Sequence, residues 1–171
     1  MTVGDLNILD REEFVAALGW IFEDSPWVAE RTWIARPFAN LDALHAAMIG
    51  ELARAPRQEQ LALLCAHPDL GTRARIGPAS TDEQAGAGLD QLTPHEFEFL
   101  QEMNSAYRKK FGFPFLYAVK GSTKHDILRA LQLRLGASPE EEYDEALRQV
   151  LRIARFRLLD NVVEPVQEET S

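Results

Sequence analysis

A single cysteine, Cys65, stands among 171 residues, so no disulfide can form within the chain. That fits a reducing compartment. Basic residues are also scarce: 18 Lys and Arg face 27 Asp and Glu, for a net charge of −9. Such a balance excludes a general nucleic-acid binder, which needs a basic face to neutralise phosphates. No apolar run approaches the ~20 residues that cross a bilayer, so no membrane association is expected. Met1-Thr2-Val3-Gly4-Asp5 lacks a basic segment leading into an apolar one, and Glu168-Glu169-Thr170-Ser171 carries no peroxisomal address. A cytoplasmic protein is expected. His-Glu-x-x-His and a glycine-rich phosphate loop are both missing, and Cys65 with His67 is too sparse for zinc. The chain reads as free of metal and cofactor.

Strand signals are nearly absent as well. Phe113 to Val119 reads as extended, but Pro114 lies inside it, so a packed loop is expected rather than a sheet strand. Helix signals recur instead. Asp10 with Glu13 forms a capping box before Phe14 and Leu18, with Gly19 as a stop. Ser25-Pro26 reads as N-cap and first-turn proline ahead of Trp27, Val28 and Trp33. Asn40 caps a stripe of Leu41, Leu44, Met48 and Leu52, and Pro56 starts a helix through Leu61 and Leu64. Ser80 with Glu83 fits another capping box, followed by Gly86-Ala87-Gly88 as a close-packing stretch. Thr93-Pro94-His95-Glu96, Thr123 and Ser138-Pro139-Glu140-Glu141 open three more, the last reaching about Asp160. The expected fold is all-α: one domain, residues 1–171, built as a helical bundle of about eight helices. Its core covers about 6–162, with a flexible C-terminal tail.

Chemistry concentrates at few positions. In Ala66-His67-Pro68-Asp69-Leu70-Gly71 the proline forces the preceding helix to stop, leaving His67 on a stiff turn. An imidazole with an ordinary pKa of about 6.5 suits proton transfer near neutrality, although a histidine at a helix C-terminus is also favoured simply when charged. Ser80, Glu83 and Gln84 place a hydroxyl, a carboxylate and a carboxamide on the next helix, where a capping role needs no function. Arg157 continues the inward stripe Tyr143, Leu147, Val150, Ala154, ahead of Asn161, whereas Arg148, Arg152 and Arg155 follow a solvated face. An inward guanidinium needs an anionic partner; spacing alone leaves open a structural salt bridge, a snorkelling side chain or an anion site. Together these groups suit acid–base chemistry on an anionic, nitrogen-rich small molecule.

The strings His67-Pro68-Asp69-Leu70-Gly71, Ser80-x-x-Glu83-Gln84-Ala85-Gly86-Ala87-Gly88-Leu89, Asn104-x-x-Tyr107, Lys110-Phe111-Gly112-Phe113-Pro114-Phe115, Gly121 and Arg155-Phe156-Arg157-Leu158 follow one another in order. In that order and spacing the chain resembles the family of decarboxylases of 2-oxo-4-hydroxy-4-carboxy-5-ureidoimidazoline (OHCU), which complete the conversion of urate to allantoin. Met103 departs from the leucine usual there, a packing change only. The resemblance implies a homodimeric, cofactor-independent enzyme acting on the small molecule OHCU. It makes His67 the acid–base residue and Glu83 its carboxylate partner. Ser80, Gln84 and Arg157 would contact substrate, with Pro68 and the backbone of Phe115 and Leu116 as the wall. Two other readings use the same residues: an inactive helical module that binds a ureide or a partner protein, and a lyase or hydrolase of a related cyclic ureide. Trp27 and Trp33 are the aromatics expected at an interface.

Overall fold

Residues 1–72 and 77–164 are described in a computed structural model. Among them are nine α-helices: α1 Val3–Ile8, α2 Arg11–Leu18, α3 Trp27–Thr32, α4 Leu41–Arg54, α5 Arg57–Ala66, α6 Pro78–Gly86, α7 Pro94–Phe111, α8 Lys124–Arg134 and α9 Pro139–Asn161. No sheet strand occurs among the described residues, only an isolated bridge between Thr2 and Val163. The all-α expectation holds. Chain contacts group the protein into two units, Met1–Leu63 with the stretch from Ala154 onward, and Leu64–Ile153.

Local side-chain chemistry accounts for most helix starts. Asp10 accepts from the Glu13 amide while Glu13 accepts from that of Asp10, and Thr93 with Glu96 and Thr123 with Asp126 repeat this reciprocal cap. Asn40 caps α4 through the Ala43 amide, and Ser138 with Glu141 serves α9. In the first unit α4 buries Leu41, Leu44, Met48 and Leu52, one face of a 3.6-residue period, against a core that includes Leu6, Phe14, Ile21, Phe22 and Val28. In the second, Leu100, Tyr107, Phe113, Phe115, Ile127, Leu131 and Val150 are buried. The segment 113–119 is the packed loop its proline predicts.

Five expectations change. Helix α1 is additional: six residues opened by a Thr2–Asp5 capping box. Ser25 does not cap α3; its hydroxyl donates to the Glu23 carbonyl and Pro26 takes the N-cap position. Helix α6 starts two residues before Ser80, with Gly77 as N-cap and Pro78 at the first helical position, so Ser80 and Glu83 form no capping box. Gly86 and Gly88 have open space where a Cβ would sit; Gly88 serves a positive φ of 81° rather than close packing. Trp27 and Trp33 are half-buried beneath the guanidinium groups of Arg31 and Arg36, at 4.5 and 4.2 Å. The more exposed apolar side chains of that unit include Ile8 and Ile34, at 83% and 77%. Val163 and Glu164 bond to Met1 and Leu41, while the rest of the expected tail, 165–171, lies outside the described residues.

The cap of α7 yields a pH prediction. Lys124, and after it the Thr93 amide, hold the Glu96 carboxyl at about 2 against an ordinary 4.5. A folded pKa below the unfolded one stabilises fully above pH 4.5 and loses that contribution as pH falls toward 2. Glu96→Gln is expected to flatten the acid limb of a circular-dichroism titration across that window. An acid limb identical to the parent's would show that Glu96 contributes nothing to acid stability.

Candidate functional site

The turn bearing His67 is built by the proline after it. Pro68 excludes His67 from helical geometry, so α5 ends at Ala66, while the His67 amide still donates to Leu64 O at 3.3 Å. The side chain is only 5% exposed, beside a half-buried Pro68. The chain then turns through Leu70 and Gly71. Gly71 combines a φ of +70° with a Leu100 Cδ2 that a Cβ would meet at 2.4 Å, so both backbone angle and space demand glycine.

Helix α6 lies against this turn. Ser80 and Gln84, one helical turn apart, are both buried, with Glu83 half-buried on the same side. The Gln84 Oε1 accepts from the Gly71 amide at 2.9 Å, fastening the histidine turn to the helix that carries the hydroxyl and the carboxylate. Gln84 therefore has a backbone task beyond the substrate contact expected of it. Two residues of α7 complete the anchorage: Asn104 Nδ2 donates to Leu70 O at 2.9 Å, and Arg108 donates to Asp69 at 3.0 Å. Neither role was read from the sequence, although the spacing of Leu100, Asn104 and Arg108 marks one stripe.

Phe115 and Leu116, the expected wall, are buried in the same unit and held from behind. Arg134 donates to Leu116 O at 2.6 Å and covers the Phe115 ring at 4.5 Å. Its Nε also donates to Glu142 at 2.6 Å, and the Tyr107 hydroxyl donates to the same carboxylate. Burial, reinforced by Glu142, pushes the Tyr107 phenol far above its ordinary range. Glu142 is 1% exposed, so this Tyr–Glu–Arg cluster is a core feature. Sequence reasoning missed it. The available signal was Glu142, Ala146, Gln149 and Val150, a helical stripe shifted from the expected one; all four are buried, whereas Leu147 is half-buried and Asn161 exposed.

Arg157 belongs to the first unit and is 4% exposed, as its stripe predicts. It donates to Ile21 O at 3.2 Å and pairs with Glu23 at 3.0 Å. An ion pair is thus present, as one of the open readings required. Arg155, expected in solvent, is partly covered and pairs with Asp42. The same unit holds a cleft of about 540 Å³ lined by Val3, Asn7, Phe38, Asn40 and Glu164, with none of the expected site residues. Among the described residues no three His, Cys, Asp or Glu side chains group so as to hold a metal, and no helix is long and apolar enough to cross a membrane.

Buried imidazole, hydroxyl and carboxamide groups on an all-helical frame mark the chain as a small helical enzyme. Residues 7–159 match the OHCU decarboxylase family, and the chain belongs to it. A Halalkalicoccus jeotgali protein named 2-oxo-4-hydroxy-4-carboxy-5-ureidoimidazoline decarboxylase is 48% identical over 158 residues, covering 92% of this chain and 90% of the relative. The Bacillus subtilis uric acid degradation bifunctional protein PucL is 45% identical over 163 residues, which are 95% of this chain but 33% of that one. A crystal structure of (S)-allantoin synthase superposes with a TM-score of 0.76 at 36% identity, covering 95% of this chain and 54% of that chain.

Proposed function

We propose that the protein decarboxylates OHCU to (S)-allantoin and carbon dioxide, the last step from urate to allantoin. The observation that carries the site assignment is the Gly71–Gln84 hydrogen bond, because it fastens the buried His67 turn to the helix of Ser80, Glu83 and Gln84. The substrate has a hydroxyl and a carboxylate on one ring carbon, next to a ring C=N bond. When the C–C bond to the carboxylate breaks, its electron pair moves into that imine and carbon dioxide leaves. The substrate contains its own electron sink, so the reading needs no cofactor.

His67, oriented by Glu83, manages the hydroxyl proton during this collapse. Ser80, the Gln84 amide nitrogen, Pro68 and the backbone of Phe115 and Leu116 fix the ring and ureido group. Delivery of a proton to one face then gives one enantiomer. The test is to make the unstable substrate in situ by oxidising and hydrolysing urate, add the protein, and follow optical activity. If the protein gives neither faster loss of the intermediate nor an enantiomeric excess, the assignment falls.

To Arg157 we assign the anionic oxygens of the substrate. Its planar fork suits a carboxylate, and lysine keeps the charge but not the fork. Arg157→Lys is expected to lower kcat/KM by roughly 10- to 100-fold. A fall in thermal midpoint with unchanged kinetics would make the Glu23 pair its whole role. A cytoplasmic homodimer completes the proposal: exposed Ile8 and Ile34 supply apolar surface for a second copy, and a sedimentation mass of one chain would exclude the dimer.

A further inference from the structure

Three successive turns of α7 grip the segment that leads back to His67. Leu100, Asn104 and Arg108 are spaced by four and share one stripe of the helix. In order they meet Gly71, Leu70 and Asp69: the Leu100 methyl closes over Gly71, Asn104 Nδ2 donates to Leu70 O at 2.9 Å, and Arg108 donates to Asp69 at 3.0 Å. Each turn of helix reaches one residue nearer the imidazole.

Asn104 is the informative member. It is 4% exposed, and its Oδ1 has no hydrogen-bond partner among the described residues. A buried acceptor left without a donor offsets what the Nδ2 bond contributes to stability. Leucine, of nearly the same size, would remove that orphan and create another at Leu70 O. Stability alone gives little reason for an asparagine here. Its clear effect is directional, because a single donor fixes where the Leu70 carbonyl sits, three residues from His67.

We infer that Asn104 is a positioning residue for His67, acting through the Leu70 carbonyl while Leu100 and Arg108 hold the residues on either side. This role presupposes His67 as the acid–base group, as proposed for the decarboxylation. Misplacement by about 1 Å costs on the order of 100-fold in rate, so a loosened turn lowers turnover without touching substrate.

The test compares Asn104→Leu and His67→Ala with the parent enzyme on substrate made in situ from urate. Asn104→Leu is expected to lower kcat roughly tenfold or more, with KM within about twofold. Its thermal midpoint should stay within about 3 °C of the parent's. The pH profile of kcat should also shift, which a packing role alone would not produce. If kcat stays within about twofold of the parent's while His67→Ala is inactive, Asn104 does not position the histidine and the catalytic reading survives. If His67→Ala keeps parental turnover, both fall together. Should Asn104→Leu fail to fold, Arg108→Met carries the test at the exposed end of the stripe. A drop in kcat of about threefold or more supports the role, and an unchanged kcat overturns it.

Discussion

Turnover by the His67→Ala protein is expected to fall by roughly 1,000-fold or more, while the helical content stays that of the parent. The side chain is 5% exposed, and three of the bonds that hold its turn use the Gly71 amide, the Leu70 carbonyl and the Asp69 carboxylate. None of them involves the imidazole. Removing the ring leaves a small cavity, about 1–3 kcal/mol of lost stability, in a turn that keeps these three bonds. Because the substrate decays by itself to racemic product, disappearance of substrate is the weaker readout. Enantiomeric excess is the stronger one, and it should vanish in the variant. An excess equal to the parent's would take His67 out of the mechanism.

How much of this was legible depended on range. Capping boxes are written within four residues, so Asp10 with Glu13 and Thr93 with Glu96 could be read directly, as could the stop that Pro68 imposes on α5. The same local grammar misled at Ser80 and Glu83, where a Gly-Pro pair two residues earlier starts the helix instead. That shift moves Ser80 from a helix end into the buried face it shares with Gln84. Burial of Arg157 was legible from its stripe, but its partner was not. Glu23 lies 134 residues away, and only the folded chain brings the two together. Asn104 was visible as part of a motif, whereas its bond to Leu70 spans 34 residues. Sequence pattern thus located His67, Ser80, Gln84 and Arg157 but not the buried Glu142, and non-local packing decided which group each one holds.

The buried cluster behind Phe115 and Leu116 sets the largest expected effect on stability. Arg134→Met should lower stability by about 3–5 kcal/mol, because it strands the Glu142 carboxylate, 1% exposed, with the Tyr107 hydroxyl but no cation. For a chain of this length the thermal midpoint should fall by about 10 °C. Adding Glu142→Leu to Arg134→Met should recover most of the loss, since an apolar pair asks for no charge compensation. Activity should not recover with it. Leu116 O would still lack its donor and the Phe115 ring its cover, so the wall they form would stay loose in the stable double variant. Chemical denaturation of the three proteins checks the first part, and the enantiomeric excess of the double variant checks the second. A single variant within about 1 kcal/mol of the parent at neutral pH would mean that the core tolerates an unpaired Glu142.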